Sequence, residues 1–167
     1  MVLMRVYLAS TLSALAELHK AGKVSPAPLG AYAVTPALRE WYTEGDAEEL
    51  EYAAMTVAAR ASLRLLAADS SSPRRRVVIA AEVPDGHVLP VLDGGEQGLV
   101  RVTVDVPRAW IASIQVDDPA VADEVALAVV LLGAAEAGDE DAAFAVDGID
   151  DHELLWFATQ ELPDLLG

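Results

Sequence analysis

Residues 31–69 read AYAVTPALREWYTEGDAEELEYAAMTVAARASLRLLAAD, and this stretch decides the fold. Ala31–Thr35 is short, apolar and rich in β-compatible side chains, as suits a buried strand. Thr35-Pro36 then reads as a helix start. The Thr hydroxyl serves free N–H groups, and Pro at the first helical position loses no hydrogen bond. That helix is expected to end at Gly45, and Asp46 opens another. Asp46 with Glu49 is an acidic capping box, and Glu48, Glu49 and Glu51 add negative charge where the helix dipole favours it. Leu50, Ala53, Ala54, Val57, Ala58, Ala61 and Leu65 recur at steps of three and four. They form one apolar face of mostly small residues, suited to close packing on a sheet or helix. Arg60 and Arg64 lie on another face, within reach of acidic partners.

The flanking segments extend the pattern. Met4–Ala9 reads as a first strand, followed by a helix capped by Ser10 or Thr11 and ended at Gly22. Residues 23–30 are a Pro/Gly loop. Strand, helix, strand in this order implies parallel pairing through a right-handed crossover. Arg76–Val83 is a continuous apolar run of the kind found in a central strand, and Leu99–Val106 alternates as a strand with one wet face, antiparallel and near an edge. Residues 84–98 are mostly loop, with Gly94-Gly95 as a turn. Ala112–Val116 adds a strand. Pro119–Ala137 reads as a helix capped by Asp117 or Asp118 and apolar almost all round, so it is either deeply buried or meets a partner. Ala142–Val146 is a short apolar segment. Asp150–Glu161 reads as the last helix, with Asp150 and Glu153 as a second acidic capping box and Pro163 as its stop. The expected architecture is one α/β domain over residues 1–167. Its sheet is mixed, mostly parallel and of about five strands, with helices packed on it.

Composition narrows the function classes. Hydrophobic residues make up 53% of the 167, which excludes disorder as the default. There is no cysteine, so disulfides and thiolate metal sites are excluded and a reducing cytoplasm is the expected compartment. The first ten residues do not make a signal peptide, and no apolar run is long enough for a membrane span. The net charge is −16, unevenly placed. All 11 Lys and Arg lie within residues 1–108 beside 13 acids, whereas residues 109–167 hold 14 acids and no Lys or Arg. Such a surface repels phosphate backbones, which excludes nucleic acid, and attracts basic partners or divalent cations.

Two clusters are candidates for chemistry. The first is acidic: Asp147, Asp150, Asp151, His152 and Glu153, with Asp150, Asp151, His152 and Glu153 as a candidate divalent-metal set. The segment HELLW lacks the second His of a zinc helix, since Trp156 stands there, and Asp150 and Glu153 are equally explained as caps. No organic cofactor is expected. The second is aromatic and charged: Arg39, Glu40, Trp41, Tyr42, Tyr52, Trp156 and Gln160, the usual lining of a small-molecule pocket or an interface, or else simply core rings. The three consecutive Arg74–Arg76 are an anion site or, more simply, partners for the chain's own acidic half. Neither a nucleophile elbow nor a phosphate loop is present in the sequence. The leading expectation is a non-enzymatic acidic domain that associates with itself or with a basic protein. A small metal-dependent enzyme or metabolite-binding protein is the alternative.

Three segments also carry a resemblance: MRVYLAST from Met4, the run Thr35–Leu66, and DHELLWFATQELPDLL from Asp151. Together they resemble a family of small, uncharacterised actinobacterial proteins, across most of the chain and least in residues 84–98. The resemblance implies a cytoplasmic bacterial protein and no activity, cofactor or catalytic residue.

Overall fold

A computed structural model describes residues 2–41, 46–92 and 96–167. The central element is the long helix predicted above. Helix α3 spans Ala47–Ala68, and the Asp46 carboxylate accepts from the Glu49 N–H at 2.9 Å to start it. The short helix α2, Pro36–Trp41, precedes it, with Thr35 Oγ1 accepting from the Leu38 N–H at 3.2 Å. The expected end at Gly45 and the Gly94-Gly95 turn lie outside the described residues.

A seven-stranded sheet underlies these helices. Its strands are β1 (Leu3–Ser10), β3 (Leu29–Tyr32), β4 (Val77–Pro84), β5 (Val88–Pro90), β6 (Leu99–Val102), β8 (Ile111–Val116) and β9 (Leu155–Phe157). Across the sheet the order is β5-β6-β3-β1-β4-β8-β9, and every neighbouring pair is antiparallel. Two more short strands, β2 (Lys23–Val24) and β7 (Val106–Pro107), pair separately.

The expectation of a mostly parallel, five-stranded sheet is therefore corrected. The first cause lies in the loop after helix α1 (Leu12–Ala21). Tyr32 pairs with Tyr7, so β3 begins near the end of β1 from which α1 departs. A ten-residue helix carries the chain about 15 Å away. Residues 22–28 bring it back through the short strand β2 and a bent Pro-containing loop, so β3 starts where a parallel partner would finish. The second cause is that β4 is buried on both faces although its neighbours are antiparallel. A continuous apolar run marks two-sided burial, and helices cover both faces of this sheet.

Those two faces build two cores. Val6, Leu8, Val77, Ile79 and Val83 face α1 and the last helix, α6 (Leu162–Leu166). Tyr7, Tyr32, Val78 and Ala80 face Leu38 of α2 and Ala54, Ala58 and Ala59 of α3. The alanines let α3 lie close on the sheet. Ser62 joins them at the far end: it donates to the Ser10 carbonyl at 2.7 Å and accepts the Val77 N–H at 2.9 Å. A third cluster lies outside α3. There Leu63 and Leu66 meet Val125, Ala128 and Leu132 of α4 (Ala122–Glu136) and Val146 of α5 (Glu140–Asp147). Gly98 is needed where it stands: its φ is +86°, and a Cβ there would lie 2.8 Å from the Ala33 carbonyl oxygen.

The C-terminal region departs most from expectation. Residues 150–161 form no helix. The chain makes a single turn at 148–151, then strand β9 against β8, a second turn at 159–161 and α6. Leu154–Phe157 is four apolar residues in a row, which fits an edge strand as well as a helix face, and β8 supplies the ladder. Pro163 opens α6, where its missing N–H costs nothing, instead of ending a helix. Ala142–Val146 belongs to α5.

Candidate functional site

Charge pairing between the two halves of the chain comes first, because it removes several candidates. Arg76 is 2% and Asp117 0% exposed. The Arg76 backbone N–H and Nε donate to Asp117 Oδ2 at 2.7 and 2.9 Å, and Nη2 donates to Oδ1 at 2.8 Å. Nη2 also reaches the His152 carbonyl at 3.0 Å. Arg74 donates to the Leu66 and Asp69 carbonyls, closing the open C-terminus of α3. Arg75 donates to the Asp117 carbonyl at 2.9 Å. All three arginines are thus committed to the fold. Arg60 binds Asp147 at 2.8 Å and Asp150 at 3.2 Å, and Arg64 binds Glu136 and Glu96, both at 2.9 Å.

This pairing engages two members of the candidate metal set. Asp150 faces Arg60 and Arg76, His152 pairs with Glu124 of α4, and Asp151 and Glu153 are exposed. Burial raises the Asp150 carboxyl above the usual range, against the pull of Arg60 and Arg76. Among the described residues no three His, Asp or Glu side chains lie close enough to hold a metal ion. Asp150 and Glu153 do not act as a capping pair either, since the turn at 148–151 has no side-chain cap.

The aromatic set is partly assembled. Tyr52, half-exposed on α3, lines a small cleft with Met55, Arg76, Asp150, His152 and Glu153. The structure thus brings together Tyr52 and three of the acidic candidates. The cleft is only about 20 Å³, room for a water molecule and no more. Trp156 is exposed on β9, opposite Gln115 of β8. Arg39 and Glu40 are exposed on α2, and Gln160 is exposed in the turn before α6. The side chain of Trp41 and all of Tyr42 lie outside the described residues.

The exposed apolar surface of α4 is the more informative feature. Its inner side, Val125, Ala128 and Leu132, packs on α3. Its outer side is not polar. Leu127 is 56% and Val130 77% exposed, and Ala134 continues the same stripe at helical spacing. Asp123 opens the stripe and Glu140 and Asp141 follow its far end, all exposed and with no cation paired to them among the described residues. On α5, Phe144 is 84% exposed. An amphipathic surface helix places polar residues outward, so this face lacks its expected covering.

Against known proteins, residues 4–166 match a family of unknown function, DUF6912. The chain belongs to that family. No curated protein and no solved structure matches it. The membership agrees with the resemblance read from the sequence in assigning no activity. No helix among the described residues is long and apolar enough to cross a membrane.

Proposed function

We propose that this member of DUF6912 is a non-enzymatic, cytoplasmic docking domain, and that the outer face of α4 receives a basic amphipathic helix of a partner protein. The observation that carries this is the stripe Leu127–Val130–Ala134, apolar on the side of α4 turned away from the core. The partner's chemistry follows from charge. Residues 109–167 hold 14 acids and no Lys or Arg, so a second copy of the chain would bring like charge against like. A helix with an apolar stripe and Lys or Arg at its ends would meet Leu127 and Val130 in the middle and Asp123, Glu140 and Asp141 beyond. At 15 residues, α4 is long enough for about four turns of such a partner.

A synthetic 16-residue Leu/Lys amphipathic peptide tests the reading by calorimetry. Full burial of a Leu or Val side chain is worth about 1.5–3 kcal/mol. Both residues are already partly covered, so Leu127→Gln with Val130→Gln should cost about 2 kcal/mol of binding, roughly thirtyfold. Undiminished binding by the double variant overturns the proposal. A dimer in light scattering that the same variant dissolves would assign the face to a second copy instead.

A further inference from the structure

On the opposite face of the sheet, between α1 and β2, lies a cleft of about 380 Å³. We infer that it is a binding site for a small, mainly apolar molecule carrying one uncharged hydrogen-bonding head group. Its wall on α1 is Ala14, Leu18 and Ala21, spaced four and three apart on one side of the helix, and the two alanines leave the space open. Val24 of β2 closes the other side, with the exposed Ser25 at the rim beside it. The floor is Ile79 of β4 and Ser10 of β1. This is the volume and lining of a small-molecule site, apolar with few polar groups.

Ser10 supplies the directional contact. It is 5% exposed, and its Oγ lies 3.4 Å from the Thr11 carbonyl, at the long limit of a hydrogen bond. That carbonyl already accepts the Leu15 N–H at 2.9 Å. The Ser10 hydroxyl therefore gives up little by turning to a ligand, and it is the polar group on the cleft floor. Charge stays at the rim. Glu17 is highly exposed, and Lys23 is half-exposed and bound to Asp105 at 3.2 Å. An ionised head group at the floor would lose its water with no counter-ion, whereas an alcohol or carboxamide would lose little.

Hexanamide, 1-hexanol and hexanoate are the probes, followed by amide chemical shifts in the full chain. Hexanamide and hexanol should give saturable shifts at Ser10, Ala14, Leu18, Ala21 and Val24, with hexanoate at least tenfold weaker. Ala21→Leu fills the cleft from an exposed helix position and should abolish the saturable shifts. Ser10→Ala should weaken hexanamide about fivefold, as for one neutral hydrogen bond. Shifts that never saturate, or that survive Ala21→Leu, overturn the site. Hexanoate binding as tightly as hexanamide overturns the uncharged head group. Neither outcome bears on the α4 face, which lies across the sheet.

Discussion

Asp117→Asn removes one charge from the buried pair and leaves its shape. Asp117 accepts three hydrogen bonds from Arg76, at 2.7, 2.8 and 2.9 Å, with both side chains essentially out of water. In the variant an amide N–H₂ faces guanidinium donors, and the nearest remaining carboxylate is Asp150 at 3.7 Å from Nη1. Breaking a buried pair on one side costs about 3–5 kcal/mol, because the surviving charge stays buried without compensation. For a domain of this size each kcal/mol moves the melting midpoint by about 2–4 °C, so the fall should be roughly 6–20 °C. Urea unfolding at pH 7 measures the free energy directly. The double variant Arg76→Met with Asp117→Leu separates charge from packing. It should recover part of the loss but fall short of wild type by about 1–3 kcal/mol, since the residue-76 N–H loses its acceptor. A loss below about 1 kcal/mol for Asp117→Asn, or a double variant as unstable as the two singles combined, would refute the account of the pair as a buried charge network.

Two further outcomes follow from single contacts. Ser62→Ala leaves the Ser10 carbonyl and the Val77 N–H without their shared partner at a fully buried site. The expected loss is about 2–4 kcal/mol in urea unfolding, and a loss under about 1 kcal/mol would show that α3 does not fasten β1 to β4 there. Asp150→Asn tests a pH dependence. Burial raises the folded Asp150 carboxyl above its unfolded value, so the folded state binds that proton more tightly. Its ionised form is therefore penalised at neutral pH, and the penalty lifts as pH falls through the raised folded value towards the ordinary carboxylate range. The stability of wild type minus that of Asp150→Asn should rise as pH is lowered from 7 towards 4. A difference that is flat or falls over that window contradicts the raised carboxyl.

What could be read in advance was local. The caps at Thr35 and Asp46 and the length of α3 depend on neighbours in sequence, and all appear as expected. For α4, apolar almost all round, the expectation of deep burial fails, because Leu127 and Val130 stand opposite the buried Val125 and Leu132 and remain exposed. The antiparallel direction of β6 was legible in its alternation, but the direction of β3 against β1 was not, because it depends on how far residues 22–28 travel, and a Pro/Gly loop does not announce its span. The C-terminus was misleading for a related reason. Asp150 and Glu153 have capping-box spacing, but Asp150 is claimed by Arg60, 90 residues earlier. Tyr52 meets His152 and Glu153 through the same long-range packing, which no spacing encodes. The α1 cleft had a faint local signal in Ala14 and Ala21 on either side of Leu18, which becomes meaningful only once Ser10 and Ile79 are known to lie beneath.

The charge asymmetry serves two ends, and the structure separates them. A C-terminal segment without Lys or Arg must find its cations in the first part of the chain, and Arg60, Arg64 and Arg76 supply them to Asp147, Asp150, Glu136 and Asp117. These pairs fix α4, α5, the 148–151 turn and the end of β8 against α3 and β4, so part of the acidity is a device for joining distant segments. It does not account for Asp123, Glu140 and Asp141. They are exposed in the first turns of α4 and α5, where the helix dipole favours negative charge, and no cation among the described residues is paired to them. Asp123 lies one turn before Leu127 on the same side of α4, so a carboxylate and exposed apolar side chains adjoin on one helix face, and the proposed basic amphipathic helix would answer both.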